Sequence, residues 1–313
     1  MEGLKAHLGK FLLLAILSSQ AHALVDYSEE VDFTPKNSGS VASSEAPKNK
    51  VSAKAPSAKS ESRRTSSGLF SLGAYYESME IPLEGRSGKL NTTHVKGHFQ
   101  TLQNLYLDFD YRQAETKSKT LNPDGQSGKG NPTLRLGFNW FDVGGNSDKA
   151  QINLIGGYSM GQSNSYFATS RDDKIVGVET VKRFEDFALG LGFDMRIVGT
   201  PKNESEMGVG NIQTLMAHLG WRATADIAFV LEGSTTKVAA SSETNRLKKL
   251  NEDVSFGQLT PKLQLGLSPL IELELGATFR TKRVKDGSLV ETRLWNLSGS
   301  YGNSVFAGLL VNI

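Results

Sequence analysis

Cysteine is absent from all 313 residues. Disulfides, thiolate metal centres and cysteine nucleophiles are excluded together, and so is a lipoprotein anchor built on a cysteine behind a leader. Neither sign of charge dominates: 35 Lys and Arg against 33 Asp and Glu leave +2. That balance argues against nucleic acid as a partner. No segment beyond the first residues offers an apolar run of about 20, which excludes a helical membrane protein. Signatures of cofactor chemistry are missing too. Gly125 to Gly130, GQSGKG, lacks the phosphate-loop spacing and the hydroxyl after its lysine. Asp172 and Asp173 lack the spaced oxygen ligands of a calcium loop, and no Gly-x-Ser-x-Gly elbow supports a serine nucleophile. No cofactor, metal or catalytic residue is therefore expected.

What is present begins with an export signal. Lys5 and Lys10 give a positive start, Phe11 to Leu17 an apolar core, and Ala21-His22-Ala23 a small-residue cleavage site. Residues 1–23 are read as signal peptide and 24–67 as a disordered periplasmic segment and linker. Within it, 34–66 carries seven basic residues against Glu45 and Glu61 and has no aromatic. Such a stretch cannot bury enough apolar surface to offset its ordering entropy. Contact of this linker with the cell wall or anionic head groups is its functional alternative.

From residue 68 to 313 one unit repeats: ten or so residues in which every second side chain is apolar, then a polar turn. Phe187, Leu189, Leu191, Phe193, Met195 and Ile197 alternate with Ala188, Gly190, Gly192, Asp194 and Arg196. Period two is strand periodicity. About 12 strands follow from it, at 68–79, 98–113, 132–142, 149–160, 174–184, 186–198, 211–222, 226–238, 256–267, 271–281, 290–301 and 304–313. An 11-residue strand tilted near 40° covers about 25 to 28 Å of the membrane normal. The stretch 174–184 alternates least cleanly, because Glu179, Lys182 and Arg183 blur its faces.

Connector lengths alternate as well. Short turns fall at 144–148, 185–186, 222–226, 268–269 and 302–303, and long polar loops at 113–131, 161–173, 199–210, 239–255 and 282–289. In a membrane barrel these sets mark opposite faces. Trp140, Phe141, Phe184, Phe187, Trp221 and Tyr301 flank short turns, as an interfacial girdle would. Followed to its end, this alternation sends Ile313 to the outer face, against the habit of such barrels. Either a hairpin near 80–104 is miscounted or the turn at 302–303 lies outside.

On this alternation the chain resembles the bacterial outer-membrane β-barrels over residues 68–313, by architecture and not by a diagnostic motif. The resemblance implies an all-β, antiparallel, up-and-down barrel in the outer membrane, folded there by the outer-membrane assembly machinery. A secreted sandwich or lipocalin-like barrel would alternate as well. With apolar side chains facing lipid, the opposite phase lines the interior. It holds Asp108, Asp110, Arg112, Arg135, Asn139, Asp194, Arg196, His218, Glu232, Lys262, Glu272, Glu274 and Arg280, together with Gln151, Asn153, Gln264 and Asn296. Six carboxylates against five cations predict weak ion selectivity or a closed, paired interior. His94 and His98 fall in the same phase. The functional expectation is a porin-like channel for small hydrophilic solutes. Its alternatives are a closed structural or adhesive barrel acting through long loops, and a lipid-modifying enzyme. Basic runs at Arg246, Lys248 and Lys249 and at Lys282, Arg283 and Lys285 are expected to meet lipopolysaccharide phosphates.

Overall fold

The computed structural model describes residues 70–313 except 83–86, 102–103, 120, 122–126, 145–147, 244–245, 283–286 and 298. The proposed signal peptide and linker lie outside the described residues. Twelve long strands pair in chain order: β1 (Phe70–Ile81), β2 (Gly88–Gln100), β3 (Leu105–Glu115), β5 (Thr133–Val143), β6 (Ala150–Ser159), β7 (Asp173–Phe184), β8 (Phe187–Ile197), β9 (Ile212–Thr224), β10 (Ile227–Val238), β11 (Val254–Ser268), β12 (Ile271–Lys282) and β13 (Ser304–Asn312). The three-residue β4 (Ser127–Lys129) extends a loop along the end of β3. Every pairing is antiparallel, and β13 returns to β1 through nine register pairs from Ser71↔Asn312 to Met79↔Ser304. Phe70 and Ile313 exchange backbone hydrogen bonds beside that seam. The sheet is therefore a closed barrel, and closure removes the unpaired edges that hydrocarbon would not tolerate.

The two faces of each stave are sorted as the alternation requires. In β8, Leu191 is 63% exposed and its neighbours Leu189 and Phe193 share the outer face, while Asp194 and Arg196 are buried. The same inversion, apolar out and polar in, runs through Leu134, Leu136 and Phe138 of β5 and Leu215 and Leu219 of β9. A water-soluble barrel or sandwich would bury these side chains, so the outer wall is built for lipid. Trp140, Phe141, Phe184, Phe187 and Trp221 are exposed near the short turns, and Phe187, Trp221 and Phe229 stack in a row.

Inside, aromatic rings lie over glycine on the next strand. Tyr75 faces Gly308 across the seam and Phe306 faces Gly276. A Cβ at Gly308 would overlap the Tyr75 ring, and one at Gly276 the Phe306 ring. Missing side chains here are sockets for rings, which lock register as well as fill space.

The strand count of 12 agrees with expectation, but two strands are assigned differently. β2 at 88–100 has no counterpart in the sequence reading, which merges its last residues with β3 in 98–113. Its outer phase, Thr93, Val95, Gly97 and Phe99, is only half apolar, and the turn into β3 at Thr101–Asn104 contains neither Gly nor Pro. Asn104 there takes φ 59°, a conformation its side chain tolerates well. Conversely, 290–301 is no strand. It holds the end of a 3₁₀ helix, Gly287–Thr292, followed by turns. Its apolar residues Val290, Leu294, Leu297 and Tyr301 recur at helical spacing, three and four apart. The 302–303 turn consequently belongs to a long loop at 283–303. With both changes made, β1 begins and β13 ends at the short-turn end of the barrel, and the topological conflict disappears. Tyr301 leaves the girdle with this change and is wholly buried.

Candidate functional site

The interior divides into three zones along the barrel, the first a cap at the long-loop end. Upper strand residues Met79, Ile81, Leu90, Val238 and Phe256 cluster with Phe167, Met207, Val209 and Leu250 from the loops and with Val290, Leu294, Trp295, Leu297 and Tyr301. Trp295, 2% exposed, is the centre. Its ring meets Tyr301 at 4.7 Å and Phe167 at 5.7 Å between centroids, and its indole donates to the Tyr166 carbonyl at 3.2 Å. Polar groups secure the segment: Arg293 donates to the Ser165 and Ala168 carbonyls, and Arg112 reaches up from β3 to the Trp295 carbonyl at 3.3 Å. Asn296, anticipated on a strand, sits in the cap against Arg196, its carbonyl oxygen accepting from the guanidinium.

Loops around the cap are tied to one another. The Glu206 carboxylate accepts from the Ser170 amide at 2.7 Å and its hydroxyl at 2.9 Å. Arg246 donates to the Pro201, Asn203 and Glu206 carbonyls, so this member of the basic run is spent inside the protein. Asp172 accepts from the Gly161 amide and from Lys202. Those two bonds, the amide first, hold its carboxyl below the usual aspartate pKa. Asp253 is lowered likewise by Lys237 and the Ala240 amide. Burial in the cap raises the Tyr301 hydroxyl.

Below the cap lies a tier of arginines matched by carboxylates. Arg135 on β5 bonds Asp194 on β8 at 2.9 Å across the lumen. Arg196 and Arg171 share Asp173, at 3.7 and 3.1 Å. His94 contacts Asp110 at 2.6 Å; further down the same two strands, nearer the short turns than Lys96, His98 contacts Asp108 at 2.7 Å. Asp173 is thus a buried ion-pair partner and Asp172 a loop tie, which accounts for both acids by hydrogen bonds and ion pairs.

The third zone, toward the short turns, mixes glutamates with Lys96, Lys262 and Arg183, all three buried. Lys262 on β11 pairs with Glu232 on β10, and Gln264 donates to Glu274 at 3.2 Å. His218, the register partner of Glu232, lies 3.4 Å from Glu179 on β7. Lys96 stands over the Tyr75 ring, 4.1 Å from its centroid. Glu232 Oε2 and His218 Nδ1 are buried without a hydrogen-bond partner among the described residues.

The anticipated interior residues other than Asn296 lie on the inward phase, at different depths. Asp108, Asp110, Arg112, Arg135, Asp194, Arg196, His218, Glu232, Lys262 and Glu274 are buried. Asn139 and Glu272 are half-buried near the short turns, where Asn139 donates to Asp142 at 3.2 Å. Arg280, also half-buried, is at the opposite end and donates to the Ser300 carbonyl. The inward groups Glu77, Lys96, Arg171, Asp173, Glu179, Glu206 and Arg293 were not anticipated. Strand parity could have found Glu77, Asp173 and Glu179. Lys96 fell with the missed strand, and the loop residues carry no local signal. Arg283 and Lys285 lie outside the described residues. All three described histidines, His94, His98 and His218, face inward, so the described lipid-facing wall carries none.

No protein-family model matches the sequence, and no curated protein matches it. Solved structures do resemble the fold. An outer-membrane channel from Pseudomonas putida F1 aligns with a TM-score of 0.57 at 11% identity, over 79% of this chain and 96% of that one. The NanC porin aligns at 0.46 and 10%, over 78% and 100%. Outer membrane phospholipase A from Escherichia coli aligns at 0.39 and 11%, over 78% and 92%.

Proposed function

We propose that this chain is an outer-membrane channel for small hydrophilic solutes, with the segment 287–301 closing its outer mouth in the state described. The carrying observation is the interior itself. A dry filler of this volume would be apolar, since an ionised group buried without full pairing costs several kcal/mol, on the order of 3–5 when one partner is missing. Here charged side chains occupy the bore, some with oxygens and nitrogens that no described protein group satisfies. Water and passing solutes would satisfy them. The fold shared with the Pseudomonas putida channel supports both this reading and outer-membrane residence. At the outer rim, outward-facing Lys129 and Lys174 are exposed and suited to lipopolysaccharide phosphates.

A second reading has its own observation. The cap is interlocked through Glu206, Arg246 and Arg293 as a fixed structure would be, which fits a permanently closed barrel acting through its loops. Planar-bilayer recordings separate the two. Wild-type protein is expected to show discrete conductance steps, and a variant with 287–300 replaced by a short Gly-Ser linker larger or more frequent ones. Silence from both would overturn the channel and leave the closed barrel.

A further inference from the structure

We propose that the arginines beneath the cap are a receptor for carboxylate-bearing solutes, and that a bound carboxylate releases the segment 287–301 from the outer mouth. The proposal rests on the channel reading above and adds a class of solute and the means of opening.

Two independent observations carry it. The first is what fastens the cap to the wall. Arg112 of β3 donates to the Trp295 carbonyl, Arg196 of β8 to the side-chain oxygen of Asn296, and Arg280 of β12 to the Ser300 carbonyl. Guanidinium groups from three staves, none adjacent to another, thus end on uncharged oxygens of one short stretch. Residues 294–301, LWNLSGSY, contain no acid that could serve instead. The Arg112 and Arg280 bonds are both 3.3 Å, against 2.9 Å where Arg135 holds Asp194. A carboxylate on such donors makes bonds roughly twice as strong as a neutral oxygen does, and its two oxygens match the guanidinium fork. A solute of that class therefore competes with the cap for the groups that hold it.

The second is that unfilled donors lie at the same place. Arg112 Nε and both terminal nitrogens of Arg171 are buried without a hydrogen-bond partner among the described residues. Trp295 and Asn296 are consecutive, and Arg171 and Arg196 share Asp173, so these three guanidinium groups converge under the roof. The acids of this tier are engaged: Asp110 by His94, Asp194 by Arg135, Asp173 by two arginines, and Glu206 by Ser170 and, at 3.7 Å, by Arg171. Glu77, buried on β1, has β2 between it and Arg112. An incoming carboxylate finds guanidinium edges whose present partners are neutral or absent.

The test is single-channel recording with sodium succinate on the loop side, against sodium chloride at equal ionic strength and against neutral acetamide. Wild-type protein should open severalfold more often with succinate and not with acetamide. Arg112→Gln should raise basal opening, because a fastening is lost, and should also weaken the succinate response severalfold. An arginine that only holds the cap would give the first change without the second, so an undiminished response overturns the assignment. A readout independent of conductance is amide exchange at Leu294, whose N–H donates to the Tyr301 hydroxyl at 2.9 Å. In wild-type protein it should speed up severalfold with succinate and not with acetamide, and it decides the matter if the variant fails to fold. Conductance that succinate leaves unchanged or lowers, or Leu294 exchange that succinate does not accelerate, overturns this inference and leaves the channel standing. Absence of conductance in wild type and cap-deleted protein removes both.

Discussion

The upper and lower halves of this interior neutralise their carboxylates differently, arginine above and lysine or histidine below. Above, arginines sit beside carboxylates under an aromatic cluster, so that the ions are structural. Below, Lys262 pairs with Glu232 and His218 stands beside Glu179, equally buried but away from that cluster. A buried ion pair contributes little net stability but is costly to break, whereas removing a carboxylate beside a histidine, as Glu179 beside His218, leaves a partner that need not carry charge. The same chemical change should therefore have different consequences in the two halves.

The largest effect is expected at the roof. Trp295→Ala should remove about 3–5 kcal/mol of cap stability, the usual loss for a buried indole. Limited proteolysis and amide exchange at Leu294 would read it, while the staves stay protected. If cap and staves open together, the upper half is one cooperative unit and the distinction weakens. Next comes Asp194→Asn, which leaves the buried Arg135 charge without its counter-ion at a cost of about 3 kcal/mol. It should lower the thermal midpoint in detergent, while the apolar pair Arg135→Met with Asp194→Leu recovers most of it. Glu179→Gln in the lower half should cost clearly less by the same assay, and equal losses would erase the contrast. The smallest effect belongs to Asp172. Its folded pKa is depressed below 3.8, so its contribution is whole above that value, declines as pH drops beneath it, and is gone below the folded pKa. Exchange of the Gly161 amide should accelerate over that acid window in wild type and be insensitive to it in Asp172→Asn.

Much of this was legible in the sequence because lipid imposes a strict code. Leu189, Leu191 and Phe193 had to face out once Asp194 and Arg196 faced in, and parity alone placed the inward residues correctly wherever a strand was recognised. The code fails where its contrast fades. β2 has a weak outer phase and a turn without glycine or proline, so it was invisible. The cap was misread for the opposite reason: Val290, Leu294, Leu297 and Tyr301 are apolar enough for a strand, but their spacing of three and four was the warning. Which ionisable groups meet in the bore was beyond reach, because Glu232, His218 and Glu179 come from three strands, and only the folded sheet brings them together.

The seam between β1 and β13 makes the order of this polypeptide nearly arbitrary. Phe70 and Ile313 sit side by side at the same rim, joined by their own amides, and every stave has a stave on either hand. A gene rewired to start at Ile227 and finish at Thr224, with residues 1–69 omitted and Ile313 bridged to Phe70 by a few residues, would encode the same wheel with its joint moved elsewhere.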